Sequence, residues 1–544
     1  MRFLGALRQV MANRSLRKLE LGWLMAMAAD GAYLVSLLVF AYEVGGVLAA
    51  GLVATFRSLP AGLLTPLSSA FADRFSRARV LLVVHLGRAS MVGIVAVGAV
   101  TGLPLPIVLG AVVAEGILLG LHRATTLSLM PALARAPEEL VAGNAVISLG
   151  EAVGGMVGPV AAGLLLMLGG PSLGLGVAAI AYVAAASMVL SMEVAAVRRP
   201  AAAPATASSR LREAFAGFRA LRRYPSAGLV IGLFGAQTLV RGALTVLIVA
   251  TAVELLGLGQ SGVGYLTSAI GAGGLLGAVV AITLVAGRSL STPFAVSLAL
   301  WGLPILLLGV APFGVVAFVA LGVVGAANAA LDVSGFTLLQ RCVPNDVRGR
   351  VFGALEGVAA LGIASGAALA PLLVEMAGIG GALMITGAVL PVTAIVTYPL
   401  IRRADAAAVV PHREVALLRQ IPMFAPLPLT IIEQLAQSLD SVRFDTGDRI
   451  IEEGAPGDAF YVIADGTVEI VHDRRRVATL GSGDGFGEIA LLTDRPRTAN
   501  VVALEPMEGH RLSRDAFLEA VTGSSHSVIA ADVLMTRRLA ELGQ

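Results

Sequence analysis

The chain has 544 residues, of which 57% are hydrophobic and 14% are charged, and its formal net charge is +3. A soluble globular protein carries about 25% charged residues and about 45–50% apolar ones, so this composition excludes an ordinary soluble enzyme and also an intrinsically disordered chain. The single cysteine, Cys342, excludes a disulfide framework and a metal site built from several thiolates. These values indicate an integral membrane protein.

The first segment, residues 1–19, is basic and lacks the apolar core and small-residue cleavage site of a signal peptide, which favours a cytoplasmic lead-in. The distribution of charged residues divides the chain into two parts. Residues 1–411 carry 26 Lys and Arg against 16 Asp and Glu, whereas residues 412–544 carry 13 against 20. We therefore predict a membrane part, a linker over 406–414 and a cytoplasmic domain over 415–544.

Apolar runs of about 20 residues, the length that crosses a bilayer, recur twelve times before the linker. They form two sets of six, 20–193 and 226–405, which are separated by a basic central loop over 194–225. This layout predicts an all-α membrane domain with two six-helix halves, as in transporters built from two similar repeats. The predicted spans are 20–42, 46–68, 80–101, 105–127, 141–168, 172–193, 226–252, 262–286, 293–311, 313–337, 352–376 and 380–400.

Basic residues orient these spans. The loops on one side, around 43–45, 102–104, 169–171, 253–261, 311–313 and 377–380, contain no Lys or Arg, whereas the loops on the other side carry nearly all of them. The positive-inside rule therefore predicts that both termini and the central loop are cytoplasmic. A single lysine among many Ala, Gly and Val residues indicates GC-rich bacterial coding, hence a bacterial inner membrane. Loop arginines also explain the basic pI of 9.3 better than nucleic-acid binding does.

Local motifs add a family resemblance over residues 15–405. They are Ser69-Ala-Phe-Ala-Asp73-Arg74-Phe-Ser-Arg77 after span two, Gly154-Gly-Met-Val-Gly158-Pro159-Val-Ala-Ala-Gly163 in span five, Pro131-Ala-Leu-Ala-Arg135 through Asn144, and Leu338-Leu-Gln-Arg341 through Arg350. Together they resemble the major facilitator superfamily (MFS), and the last two resemble its drug and siderophore exporter branch. Ser69 and Ser76 replace the two glycines of the first motif.

The resemblance implies roles for two of these groups. Asp73, Arg74 and Arg77 would form a cytoplasmic gate that steadies the outward-facing state; the alternative is that they are charges that set the topology. Gly154, Gly158, Pro159 and Gly163 resemble the antiporter motif. Glycines allow a neighbouring helix to approach closely and proline bends a span, so ordinary helix packing also explains them.

Ionisable residues inside the spans indicate a specific role, because placing a charged side chain at the bilayer centre costs about 2.5–3.5 kcal/mol of free energy. Asp30, Glu115 and Glu151 are candidates for proton coupling, since a buried carboxylate has a raised pKa that a nearby arginine lowers. Static ion pairs that fix helix register are the alternative. Three arginines are possible counter-charges: Arg57, Arg88 and Arg241.

Other polar residues of the spans carry weaker signals. Gln237, Trp301 and Asn328 could line a substrate path or simply pack, and Asp332 and Glu356 lie closer to the cytoplasmic ends. The sequence does not identify the substrate beyond the weak indication that apolar spans give for a lipophilic molecule.

From residue 417 onward, short strands alternate with glycine turns, which predicts a small β-barrel with flanking helices at about 412–440 and 513–541. Three segments carry a second resemblance. Leu418–Phe424, Gly457–Gly466 and Phe486–Ala499 resemble the cyclic nucleotide-binding domain, a jelly roll, over about 415–540.

The resemblance implies a binding site in the last segment. Arg497 can bind the cyclic phosphate through charge-assisted hydrogen bonds, Glu488 can accept a bond from the ribose 2′-hydroxyl, and Gly487 permits close backbone approach. We favour cAMP over cGMP, although a threonine at the position of Thr498 can hydrogen-bond a guanine in domains that bind cGMP. The alternative is a domain of this fold that has lost nucleotide binding. The implied site residues are Phe486, Gly487, Glu488, Ile489, Ala490, Arg497, Thr498 and Ala499.

Two functions remain. The first is a secondary transporter, a proton-coupled exporter of a small molecule, regulated by cytosolic cyclic nucleotide. The second is a transport-inactive membrane receptor that signals to partners. A channel is disfavoured because the chain has no arginine-repeat voltage sensor and no Thr-Val-Gly-Tyr-Gly filter. We expect no enzymatic activity and no metal or redox cofactor, because no nucleophile–base set or metal-ligand spacing is present. The expected partners are the bilayer, protons, the cyclic nucleotide and an unknown small substrate, and no nucleic acid polymer.

Overall fold

A computed structural model describes residues 12–72, 76–133, 137–192, 217, 219, 221–285, 289–407, 412–427, 429–473, 475–493, 495–523 and 525–541. The described chain divides into two compact units, a membrane unit within residues 12–133 and 142–407 and a C-terminal unit within residues 412–541, with which residues 137–141 are grouped. Most of the central loop, the middle of the predicted linker (408–411) and residues 1–11 lie outside the described residues.

The membrane unit is helical throughout. Its helices are α1 (Arg14–Ala72), α2 (Arg77–Thr101), α3 (Leu105–Leu133), α4 (Pro137–Leu190), α5 (Pro225–Ala250), α6 (Gly259–Val285), α7 (Ser291–Val310), α8 (Gly314–Arg341) and α9 (Asn345–Ala407), and a π-helical turn over Thr251–Leu255 follows α5. Among the described residues, nine helices are long and apolar enough to cross a membrane.

Three of these helices contain two arms each. The backbone leaves the helical region at Gly45 and Gly46 in α1, at Gly169 and Gly170 in α4, and at Gly378 in α9. The two arms of α1 pack side by side, because the guanidinium of Arg57 lies 5.3 Å from the ring centre of Tyr33. Nine helices with three of them doubled give twelve membrane-spanning arms in the described chain, the number that the sequence predicts.

Glycines set the closest helix contacts of the membrane unit. A Cβ atom on Gly154 would approach Met27 of α1 to 2.5 Å, and one on Gly158 would lie 2.4 Å from the carbonyl oxygen of Ala28. On another side of the same arm, a Cβ on Gly264 of α6 would lie 2.4 Å from the carbonyl oxygen of Pro159. The glycine-rich motif of span five therefore packs α4 against both α1 and α6, a contact that larger side chains would prevent.

The C-terminal unit is a two-sheet barrel with helices at its ends. Its elements are α10 (His412–Gln420), α11 (Leu429–Gln437), β1 (Asp440–Phe444), β2 (Arg449–Ile451), β3 (Ala459–Asp465), β4 (Val468–His472), β5 (Arg475–Leu480), β6 (Gly485–Phe486), α12 (Glu488–Thr493), β7 (Asn500–Ala503), β8 (Met507–Ser513), α13 (Arg514–Thr522) and α14 (Ser525–Glu541).

The strands form two antiparallel four-stranded sheets with the orders β1-β8-β3-β6 and β2-β7-β4-β5. Non-consecutive neighbours in both sheets are typical of a jelly roll. Phe424, Phe460 and Phe517 bury their rings together, with ring centres 4.9–6.0 Å apart, and they hold the helices against the first sheet. Tyr461 stacks on Phe486 at 5.3 Å in the same sheet and fixes the strand that leads into α12.

Candidate nucleotide site and intramembrane charge cluster

A cavity of about 590 Å³, open to solvent, lies in the C-terminal unit beside α12. All eight residues of the site that the sequence implies line this cavity. Apolar side chains of the second sheet and one arginine of α14 complete the wall: Ile451, Ile470, Val477, Ala478, Leu480, Val501 and Arg538. Its lining combines an apolar wall with two cationic side chains and one carboxylate, a composition suited to a ligand with a flat apolar part and an anionic part.

Gly487 and Arg497 form the polar floor of the cavity. Gly487 has φ = +96°, and a Cβ atom there would lie 2.7 Å from Nη1 of Arg497, so only glycine fits without displacing the guanidinium. Arg497 is buried and donates from Nη1 to the carbonyl oxygen of Gly487 at 2.9 Å and from Nη2 to that of Ala459 at 2.8 Å. With the bond to Asp458 at 3.0 Å, three of its five N–H groups are engaged. The two others have no hydrogen-bond partner among the described residues and can donate to an anion.

Glu488 begins α12 and is 1% exposed. Its Oε1 atom accepts a hydrogen bond from Nη1 of Arg538 at 2.7 Å, so a residue of the last helix closes over the cavity wall. Its Oε2 atom is buried and has no hydrogen-bond partner within the part of the chain that the structure describes. A buried carboxylate oxygen without a donor is costly, and a hydroxyl group of a ligand would satisfy it.

Asp458 fixes the side chain of Arg497 through a hydrogen bond. Its Oδ1 accepts from Arg497, and its Oδ2 accepts from Nη2 of Arg511 at 2.7 Å. Burial alone would raise the pKa of Asp458, but the hydrogen bonds from Arg497 and Arg511 outweigh burial and lower this pKa below its ordinary value. The carboxylate is therefore ionised at neutral pH and fixes the direction of the Arg497 side chain.

Acid should remove this support. Because the pKa of Asp458 is lower in the folded chain than in the unfolded one, the interaction stabilises the fold above about pH 4 and is lost as the pH falls through the lower folded value. We expect thermal unfolding to show that Asp458→Asn destabilises the chain at pH 7, by at most about 1 kcal/mol because the side chain is half exposed. The difference from wild type should shrink as the pH falls below about 4. Asp532→Asn on exposed α14 is the control, and an Asp458→Asn difference that does not decrease as the pH is lowered would contradict the ionic origin.

Sequence reasoning missed Asp458 and Arg538, because neither lies in the Phe486–Ala499 segment and only folding brings them to it. It also missed a group of three possible metal ligands, Glu453, His472 and Asp473, in the second sheet. Nδ1 of His472 faces Glu453 at 3.1 Å, whereas Nε2 faces Asp473 at 3.8 Å. The two nitrogens of one imidazole face different carboxylates, so the three side chains do not converge on one metal ion.

A second polar site lies inside the membrane unit, which we call the charge cluster: Asp30, Arg57, Arg88 and Glu115. Arg57 binds Asp30 at 2.6 Å and Glu115 at 2.9 Å. Arg88 binds Glu115 at 2.6 Å and also contacts Asp30. Each arginine therefore contacts both carboxylates, and the net charge of the cluster is zero. Side-chain exposure separates the acids, because Asp30 is 25% exposed and Glu115 is fully buried.

Two other predicted residues do not join the charge cluster: Glu151, a candidate for proton coupling, and Arg241, a possible counter-charge. Glu151 pairs with Arg123 at 3.2 Å instead of with one of the predicted arginines, and Arg123 is 62% exposed. Arg241 forms no ion pair within the described residues and lies on an exposed face of α5. The reason is geometric: a residue of one span reaches only the faces that pack against it, and the arm that carries Glu151 turns this residue toward Arg123 of α3. Of the predicted gate, Arg77 donates to the backbone oxygen of Ser128, and Asp73 and Arg74 lie outside the described residues.

These features define a multi-pass membrane protein with a ligand-binding domain at its C-terminal end. Residues 20–293 match the Major Facilitator Superfamily and residues 441–523 match the cyclic nucleotide-binding domain. Since the first match covers just over half of the 544 residues, the chain belongs to the Major Facilitator Superfamily, and it carries a fused cyclic nucleotide-binding domain.

The relatives match the C-terminal domain. It is similar to the cAMP-dependent protein kinase regulatory subunit of Aspergillus fumigatus, with 41% identity over 104 residues, which are 19% of this chain and 25% of that protein. It is also similar to the cGMP-dependent protein kinase of Plasmodium berghei, with 36% identity over 109 residues, 20% of this chain and 13% of that protein. The chain thus spans a quarter or less of either relative. The solved structure of cAMP-bound PfPKA-R (141-441) is 25% identical and covers 26% of this chain and 52% of its own, with a TM-score of 0.23.

Proposed function

We propose that the chain is a proton-coupled exporter of a small molecule whose activity is set by cytosolic cAMP. The charge cluster carries the transport half of this proposal. Four ionisable side chains meet inside an apolar bundle, where each arginine contacts both carboxylates. The net charge of the cluster is zero, so a bound proton gives it a net positive charge inside the membrane. The predicted topology places both termini and the nucleotide domain on the cytoplasmic side.

Asp30 is the proton-carrying group in this proposal. Glu115 is fully buried between two arginines, whereas Asp30 is partly exposed and can exchange a proton with water. Protonation of Asp30 would leave Arg57 and Arg88 with Glu115 alone, a net charge of +1 inside the membrane. The excess charge favours rearrangement of the arms that carry it, and this links proton uptake to a change of conformation.

The nucleotide site is proposed to bind cAMP through the free N–H groups of Arg497 and through Oε2 of Glu488. Support comes from the cavity that these residues line and from the 41% identity to a cAMP-dependent kinase regulatory subunit. Regulation would act through α14, because its Arg538 shares Glu488 with the ligand site. A ligand hydroxyl on Oε2 would add a second donor to the carboxylate whose Oε1 holds Arg538, and this change in its hydrogen bonding would be passed to the last helix.

Everted membrane vesicles test both halves, since they expose the cytoplasmic face to the medium. Respiration acidifies the lumen and quenches an acridine dye, and a compound that is exchanged for protons restores the fluorescence. We expect at least one compound from a lipophilic panel to restore fluorescence and Asp30→Asn to abolish the effect, a loss of at least about 100-fold in rate, in the range of lost acid–base groups. Glu151→Gln should retain it, because that carboxylate belongs to an exposed pair.

Added cAMP should change the recovery rate in wild type and leave Arg497→Ala vesicles unaffected. A membrane sensor without transport is the second candidate function. In that case cAMP binds the purified chain, but no compound restores the fluorescence and Asp30→Asn changes nothing in this assay. Transport that persists unchanged in Asp30→Asn contradicts the proton role of this carboxylate.

A further inference from the structure

The last turn of α9 binds the beginning of α7 through one carboxylate. Oδ2 of Asp405 accepts hydrogen bonds from Oγ of Ser289 at 2.7 Å and from the backbone N–H groups of Leu290 and Ser291, each at 2.9 Å. These residues are 114 to 116 positions from Asp405 in the sequence, so the contact is a product of the fold. We call this set of contacts the helix clasp: Asp405, Ser289, Leu290 and Ser291.

The beginning of α7 depends on this carboxylate for its cap. Leu290, which precedes the helix, makes no side-chain cap, and the first turn of α7 contains no acidic residue. The first N–H groups of a helix have no partner within it and form the positive end of the helix dipole, where a carboxylate is a preferred cap. The hydroxyl groups of Tyr398 and Thr292, 3.0 Å apart, join the same two helices. A displacement of the end of α9 therefore disturbs the beginning of α7.

The rest of α7 packs closely against the second arm of α9. A Cβ atom on Gly302 would lie 2.4 Å from the carbonyl oxygen of Gly387, and one on Gly309 would lie 2.6 Å from that of Gly380. Closely packed interfaces transmit strain instead of absorbing it. A shift at the helix clasp therefore acts on the whole of α7.

The clasp lies next in sequence to the nucleotide-binding unit. Four residues, 408–411, separate the end of α9 from α10, the first helix of the C-terminal unit. Leu418 of α10 is buried in a hydrophobic cluster that also contains Leu491 of α12, the helix at the nucleotide cavity, and Ala531 of α14. The three helices therefore share one core. Because a segment of four residues has little slack, a displacement of α10 is passed to the turn that carries Asp405.

We propose that Asp405 couples nucleotide binding to the membrane unit. This inference rests on the proposed regulation by cAMP and names the contact through which that regulation acts. When the nucleotide changes the hydrogen bonding of α12 and α14, α10 moves with the core that the three helices share and displaces the end of α9. The bonds from Leu290 and Ser291 to Asp405 then change, and α7 shifts between two positions whose populations the nucleotide sets. Asp405 is thus a positioning residue of the regulation and is not part of the charge cluster.

Hydrogen–deuterium exchange of the two amides that Asp405 binds tests the proposal without a transport substrate. The purified full-length chain is exchanged with and without cAMP, and mass spectrometry follows peptides that contain the amides of Leu290 and Ser291. In wild type we expect cAMP to change their exchange rate by at least about 5-fold, the lower end of typical coupling between two sites. Asp405→Ala should exchange these amides about 10-fold faster than wild type without cAMP, the effect of a lost helix cap, and should not respond to cAMP.

Matched variants separate the coupling from general effects. Arg403→Ala should respond to cAMP as wild type does, because Arg403 is exposed on the same turn of α9 as Asp405. Arg497→Ala should abolish the response, because it removes the proposed phosphate ligand. Asp405→Asn keeps one acceptor oxygen and nearly the same size, so it should show a smaller increase in exchange and retains the test if Asp405→Ala does not fold.

Calorimetry with cAMP on the same samples distinguishes failure of this inference from failure of the nucleotide site. Asp405→Ala should bind cAMP as tightly as wild type, because Asp405 does not line the nucleotide cavity. Binding of cAMP that leaves the amides of Leu290 and Ser291 unchanged in wild type overturns the inference and leaves the nucleotide site intact. Changes elsewhere in the membrane unit that persist in Asp405→Ala overturn it as well. A wild-type chain that binds no cAMP removes the proposed regulation and this inference with it.

Discussion

Arg497→Ala is expected to weaken cAMP binding to the purified chain by about 100-fold or more. Two N–H groups of Arg497, a cavity-lining residue, have no hydrogen-bond partner in the described chain. A hydrogen bond to a charged group contributes about 1.5–3 kcal/mol, so losing two such bonds to the ligand removes about 3 kcal/mol or more. Isothermal calorimetry with cAMP and cGMP measures both the loss and the preference between the two nucleotides. We expect cAMP to bind more tightly in wild type.

The variant also loses bonds that hold the protein itself. Arg497 donates to the carbonyl oxygens of Gly487 and Ala459 and to Asp458, so part of the effect could come from a distorted cavity. Arg497→Lys retains one positive charge but not the planar fork, and it should recover only part of the affinity. Arg538→Ala is the matched control, because Arg538 lines the same cavity and binds Glu488. If Arg538→Ala lowered the affinity as much as Arg497→Ala, the phosphate role of Arg497 would be contradicted.

The sequence predicted the elements of this site but not its contacts. Gly487, Glu488 and Arg497 lie within twelve residues of each other, so a local motif identifies them. Asp458 and Arg538 lie 39 and 50 residues from the partners they bind. Asp458 falls in the Gly457–Gly466 segment of the resemblance, but that segment alone does not indicate that its carboxylate binds Arg497. Their roles depend on the packing of β3 and α14 around α12, which is a tertiary property.

The same distinction holds in the membrane. The twelve spans can be predicted from the lengths of the apolar segments, because each segment must by itself be long enough to cross the bilayer. The pairing of Glu151 with Arg123, instead of with one of the predicted intramembrane arginines, depends on which faces of α3 and α4 meet. Arg123 lies near the end of a predicted span, so the sequence alone does not distinguish an ion-pair partner from a charge that sets the topology. Likewise, Gln237, Trp301 and Asn328 are unremarkable one by one, and only the fold joins them into a hydrogen-bonded chain that ends at Asp332.

Arg88→Leu is expected to destabilise the membrane unit by about 3–5 kcal/mol, the effect of removing one partner from a buried ion pair. Arg88 is fully buried and binds both Asp30 and Glu115, and its loss leaves two carboxylates with Arg57 alone. The net charge of the cluster becomes −1 in a medium that solvates it poorly. Thermal unfolding in detergent, followed by helical circular dichroism, measures the shift.

The double variant Arg88→Leu/Glu115→Leu separates charge from packing. It restores a neutral cluster in which Asp30 still pairs with Arg57 at 2.6 Å, so most of the lost stability should return. Arg123→Leu is the matched control for removing an arginine, and because its pair with Glu151 is exposed, it should change stability by about 1 kcal/mol or less. A double variant as unstable as Arg88→Leu would assign the loss to the contact of the guanidinium with the Tyr182 ring, 4.4 Å away. Recovery in the double variant would instead establish that charge balance holds these four spans together, which is the condition under which a single proton on Asp30 can move them.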